Sequence, residues 1–98
     1  MFLAKVVGNV VATQKHRAFQ GSKLLLLQPL VAQQRALVPS GSSVVAVDSV
    51  GAGLGEFVMF TQGSSARLAA PAKDSPVDAV IVGIVDRVEI EGTKLERP

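Results

Sequence analysis

The chain has no cysteine, no tryptophan and no tyrosine, and its one histidine is His16. Without thiols there is no disulfide framework, no thiolate nucleophile and no thiolate metal site, so stability has to come from packing and association. Aromatic surface is limited to Phe2, Phe19, Phe57 and Phe60, which are scattered along the sequence. A site for single-stranded nucleic acid stacks bases on several rings in a basic groove. Long charge runs are absent as well: ten basic residues against eight acidic ones leave a net charge of +2. Nucleic-acid-binding domains gather their basic side chains on one face, and this sequence shows no such gathering. Nor does any apolar run approach the roughly 18 residues of a membrane-spanning helix.

What the chain does have is apolar surface in excess of its size. Its 98 residues leave room for one domain and no second core. Yet 48% of them are hydrophobic and the mean hydropathy is +0.38. Met1-Phe2-Leu3-Ala4-Lys5 carries no basic leader followed by an apolar region and a cleavage site, so the expected address is cytoplasmic.

Valine-rich Leu3 to Thr13 reads as a long strand with a bulge or bend at Gly8. Gln14 to Ser22 reads as a polar loop. Lys23 to Leu30 is a second strand, ending near an edge because of Pro29, and Val31 to Ser42 reads as a long surface connection. Val44 to Val47 and Phe57 to Thr61 are short strands. Ser64 to Ala70 is the one plausible helix, capped by Ser64 or Ser65. Val77 to Ile90 is the longest β-rich run, and the charged tail after Gly92 reads as a mobile end. The expected domain is therefore residues 1–92, with 93–98 as a flexible tail. Five strands with one short helix between the fourth and fifth predict an all-β, five-stranded OB-like barrel.

In the last strand Val80, Val82 and Ile84 point one way and Ile81, Gly83 and Val85 the other, because successive side chains alternate across a strand. Both faces are apolar, but a small barrel has only one interior. Either the helix and loops cover the second face, or further copies of the chain do. Hiding about 400 Å² per copy would contribute roughly 10 kcal/mol before the cost of association.

The most constrained stretch is Val45-Ala46-Val47-Asp48-Ser49-Val50-Gly51-Ala52-Gly53-Leu54-Gly55-Glu56-Phe57-Val58-Met59-Phe60-Thr61-Gln62-Gly63-Ser64-Ser65-Ala66-Arg67. Its glycines invite comparison with a phosphate-cradling loop. The spacing is Gly-x-Gly-x-Gly, however, and a strand follows instead of a helix whose N-terminus could meet a phosphate. By itself the loop reads as a tight strand connection needing positive φ. Gly63-Ser64-Ser65-Ala66-Arg67 reads as a capped helical turn. It lacks the Gly-x-Ser-x-Gly elbow of a nucleophile, and His16 is distant in sequence. With no nucleophile and base pair, metal cluster or cofactor loop, the reading is of a protein that is not an enzyme and holds no metal or cofactor.

This order of parts resembles the EutN/CcmL family, the pentameric vertex proteins of bacterial microcompartment shells. The resemblance extends to Lys5-Val6-Val7-Gly8-Asn9-Val10-Val11-Ala12-Thr13, Lys23-Leu24-Leu25-Leu26, Ser75-Pro76-Val77-Asp78-Ala79 and Val82-Gly83-Ile84-Val85-Asp86. It implies a cyclic homopentamer at the five-fold corners of a shell in the bacterial cytoplasm, with hexameric and pseudohexameric shell proteins as partners and no nucleic acid or membrane. It further implies that Gly51, Ala52, Gly53, Leu54, Gly55 and Glu56 lie at the rim of the ring, where missing side chains let a hexagonal tile pack closely. Ser64, Ser65, Ala66 and Arg67 would lie by the subunit contact or the five-fold opening, with Arg67 bonded to Asp48, Asp78 or Asp86 of the next subunit. Lys15, His16 and Arg17 read as an exposed hairpin tip, or as a contact with cargo or an adjoining shell face. The alternative function is single-stranded nucleic-acid binding, suggested by the barrel alone.

Overall fold

A computed structural model describes residues 1–12, 21–69 and 78–96. Among these, the elements run β1 (Phe2–Val10), β2 (Lys23–Gln33), β3 (Ala36–Pro39), β4 (Val44–Asp48), β5 (Phe57–Gln62), α1 (Ser64–Ala69), β6 (Ala79–Val85), β7 (Arg87–Ile90) and β8 (Thr93–Glu96). β1 pairs antiparallel with both β2 and β5, β2 pairs with β4, β4 runs parallel to β6, and β6 returns antiparallel to β5. These five strands close a ring, with α1 between the fourth and fifth of them in chain order. The expected all-β architecture is the one observed.

The ring's interior is filled by alternate residues of each strand, because successive side chains point to opposite faces. Ala4 and Val6, Leu25 and Leu27, Ala46, Val58 and Phe60, and Ala79 and Ile81 form one buried cluster. Small alanines on β1, β4 and β6 leave room for the leucines and Phe60, as a narrow ring requires. Each fully buried large side chain stabilises the fold by roughly 1.5–3 kcal/mol.

Two bulges break the alternation. Val6 faces Leu27 while Gly8 faces Leu26, leaving Val7 unopposed next to the glycine that marks the bend in the sequence. In β6 the register slips opposite Met59 and Phe60, so that Ile81 and Gly83 are paired but Val82 is not. That slip corrects the strict alternation expected for this strand. Ile81 packs inward and Val80 and Val82 outward, but Ile84 joins the interior cluster instead of the outer face.

Further expectations are corrected. The segment read as a long surface connection is a continuation of β2 and a hairpin to β3, with Val31 opposite Val38 and Gln33 opposite Ala36. Its two-residue turn, Gln34-Arg35, has φ of 51° and 62°, the twist that suits a hairpin. Pro29 does not end β2. It sits where β2 changes neighbour from β4 to β3, so the missing N–H costs little. The run from Val77 to Ile90 is interrupted at Asp86, and Thr93–Glu96 forms β8, paired with β7 across Glu91-Gly92, where the sequence reading placed a mobile tail. α1 begins at Ser64, after Gly63 has turned the chain with φ of 67°.

Candidate functional site

β4 ends in Asp48, whose place in the alternation after Val44 and Ala46 turns its carboxylate toward the mouth of the ring. The side chain is only 1% exposed. Its Oδ1 accepts from the Val50 amide at 3.0 Å and its Oδ2 from the Ala52 amide at 2.9 Å. Lys23, at the start of β2, places Nζ 3.4 Å from the same Oδ2 and donates to the Ala52 carbonyl at 2.6 Å. One carboxylate and one ammonium therefore hold both the N–H and the C=O of Ala52, through charge-assisted bonds of the stronger kind.

The far half of the loop is fixed separately. Glu56 Oε1 accepts from the Gly53 amide at 2.7 Å while the Glu56 amide donates to the Gly53 carbonyl at 3.1 Å. Gly55 N–H donates to the Val6 carbonyl, and Val6 N–H to the Glu56 carbonyl, both at 2.9 Å, which stitches the loop to β1. Gly51 and Gly55 have φ of 83° and 87° and supply the left-handed turns. Gly53 does not. A Cβ there would lie 3.3 Å from Glu56 Oε1, so its lack of a side chain makes room for the Glu56 carboxylate.

The amides that a phosphate cradle would need, those of Val50, Ala52 and Gly53, are taken by the protein's own carboxylates. The loop displays a side chain instead: Leu54 stands 75% exposed between Gly53 and Gly55.

Of the six loop residues assigned to tile contact, Ala52 is fully buried in the interior cluster and closes that end of the ring. Its methyl is not at a surface. At the helical turn, Ala66 is likewise fully buried, seated on Val47 and Val80 with Leu24 and Val82 alongside. Ser64 and Leu68 face outward. The side chains of Ser65 and Arg67 lie outside the described residues, as do Lys15, His16 and Arg17. Asp48, one of the three carboxylates expected for Arg67 of a neighbour, is enclosed and engaged within its own chain. Asp78 and Asp86 are exposed.

In the sequence Lys23 only opens a strand, and nothing there marks its part in the loop. Sequence reasoning missed Asp48 as the organiser of the loop, although an aspartate bonded to the amide two residues on is a recognised turn device. Of the described phenylalanines, Phe60 is buried in the interior and Phe2 packs on it with ring centroids 5.4 Å apart. Phe60 belongs to the core, and Phe2, 51% exposed, stands at its mouth.

A family model described as ethanolamine utilisation protein EutN/carboxysome matches residues 1–86. GrpN of Rhodospirillum rubrum, a bacterial microcompartment shell vertex protein, is 48% identical over 89 residues, 91% of this chain and 97% of that one. Its solved structure, that of a pentameric microcompartment shell protein, matches with a TM-score of 0.77 over 92% of this chain and 98% of that chain. CcmL of Gloeobacter violaceus, a carboxysome shell vertex protein, is 43% identical over 97% of this chain and 92% of its own length. The structure of that CcmL matches with a TM-score of 0.86, covering 99% and 97% of the two chains. With its ring of five strands, its clasped glycine loop and these matches along nearly its whole length, the chain belongs to the EutN/CcmL family.

Proposed function

We propose that this chain forms a homopentamer that closes the five-fold corners of a bacterial microcompartment shell in the cytoplasm, as a structural component with no catalytic role. Flat arrays of six-fold tiles cannot close on themselves, and a five-fold unit supplies the missing curvature. The observation that carries this reading is the outer wall of the ring. Val45 and Leu26 are opposite each other on β4 and β2, and Leu26 faces Gly8 beside the bulged Val7. Val45 and Val7 are open to solvent in the single chain. Among the described residues, α1 covers the neighbouring patch of Val47, Val80, Leu24 and Val82. Sister copies packed around an axis would cover the remainder, in keeping with the pentameric relative.

On the same reading the loop after Asp48 lies at the rim of the ring, with Leu54 toward the adjoining hexameric tile. The test is shell assembly with and without the chain, imaged by electron microscopy. Closed polyhedra are expected with it and open sheets or tubes without it. Equally closed shells in both would contradict the reading.

A further inference from the structure

We infer that Asp48 and Lys23 are positioning residues for tile capture: their clasp on Ala52 sets the shape of the loop and so fixes where Leu54 is presented. The inference rests on the reading that this loop meets the tile. The Asp48 carboxylate is not placed to touch a partner, and the Lys23 side chain, 50% exposed, directs its Nζ into the clasp. Asp48 is enclosed, and Lys23 Nζ is turned onto the Asp48 carboxylate and the Ala52 carbonyl.

Three features support this inference. It acts across distant sequence, since Lys23 reaches Ala52 from 29 residues away. It anchors the loop at one point on the barrel, the buried Ala52, while the Val6 bonds to Gly55 and Glu56 anchor the other end. Leu54 lies between these two anchors, next to Gly53, whose amide and carbonyl are both held by Glu56. An exposed leucine on a free loop would have to be ordered on binding, at a cost in backbone entropy. A leucine whose flanking backbone is already fixed avoids most of that cost, which is how preorganisation raises affinity without new contacts.

Asp48→Asn keeps the size of the side chain but has only one acceptor oxygen, so its amide group faces one of the two backbone N–H donors and Lys23 loses its counter-charge. Lys23→Met removes the other half of the clasp and keeps the apolar stem. The experiment measures, for each variant, ring mass, amide hydrogen exchange, and capture by a hexameric shell tile protein immobilised on a sensor. The expected result is an unchanged ring, at least tenfold faster exchange at Val50 and Ala52 but not in β1 or β5, and at least tenfold weaker capture. Lys23→Arg, which restores the charge, should recover most of the capture.

Unchanged exchange in both variants would overturn the inference, as would faster exchange with undiminished capture. If Asp48→Asn fails to fold, Lys23→Met carries the test by the same criteria. Failure of both to give a folded ring would make the clasp part of the fold and also overturn it. A Leu54→Asp ring serves as the separate control on the loop. If it is captured as well as the parent, the rim reading itself falls and the inference with it. If it is not captured while both clasp variants are, only the inference falls.

Discussion

The two faces of the same barrel wall solve opposite problems. Inside, strands β1, β2, β4, β5 and β6 contribute one continuous cluster in which alanines and large side chains interlock around Phe60. Outside, the wall is patchwork: α1 seals a small cluster at Val47, Val80 and Ala66, and beyond it Val7 and Val45 remain open. The inner face is a problem the chain solves alone, since a closed ring has a single interior whose volume its own side chains must match. The outer face is solved only in part by one copy. For a small chain, that division separates what determines the fold from what determines assembly.

Substitutions on the two faces should therefore differ in size and in kind. Phe60→Ala should have the largest effect, about 3–5 kcal/mol of stability, because the ring around it cannot collapse into the space left behind. A denaturant titration would read this, and a loss under 1 kcal/mol would mean the interior is less tightly packed than the ring geometry shows. Ala66→Leu, on the outer face, should cost less, about 1–3 kcal/mol, by lifting α1 off Val47 and Val80. Its signature would be faster hydrogen exchange in α1 with the interior strands unaffected.

In the loop, two glycines should separate by mechanism. Gly55→Ala meets no atom within 4 Å but is held at φ of 87°, so it should lose about 1–2 kcal/mol to backbone strain alone. Gly53→Ala has no such strain but sets its Cβ 3.3 Å from the Glu56 Oε1 that holds the Gly53 amide, so Glu56 must shift slightly and the loss should stay below about 1 kcal/mol. Equal effects on thermal midpoint would contradict that distinction. The smallest effect on the barrel itself belongs to Val45→Ser, which is 49% exposed and should change single-chain stability by no more than about 0.5 kcal/mol. Its consequence should appear instead as weaker ring association, read by dilution in analytical ultracentrifugation.

The sequence made the inner face legible and the ends of elements less so. Valine-rich runs and the leucines of β2 mark the ring strands, and Gly8 marks the bulge beside it. The two hairpins escaped for different reasons. Gln34-Arg35 adopts positive φ at both positions without the Asn-Gly or Asp-Gly pair that advertises such a turn. Glu91-Gly92 carries the glycine, but the charged residues around it read as a solvated tail. The slip at Val82 was invisible because valine on either face satisfies the same pattern. For the loop, the two φ-positive glycines were legible as a class. The bond from Asp48 to the Val50 amide is local and could have been found. Lys23 could not, since nothing in a strand's first residue signals a partner brought in by ring closure.

The central claim is that the open outer wall is covered by sister copies arranged about an axis. Multi-angle light scattering on the purified chain at micromolar concentration tests it most directly. The account predicts a single species near 51 kDa, about five times the 10.2 kDa of one chain. A stable species of one chain's mass, with its outer wall in water and no tendency to associate, would contradict it.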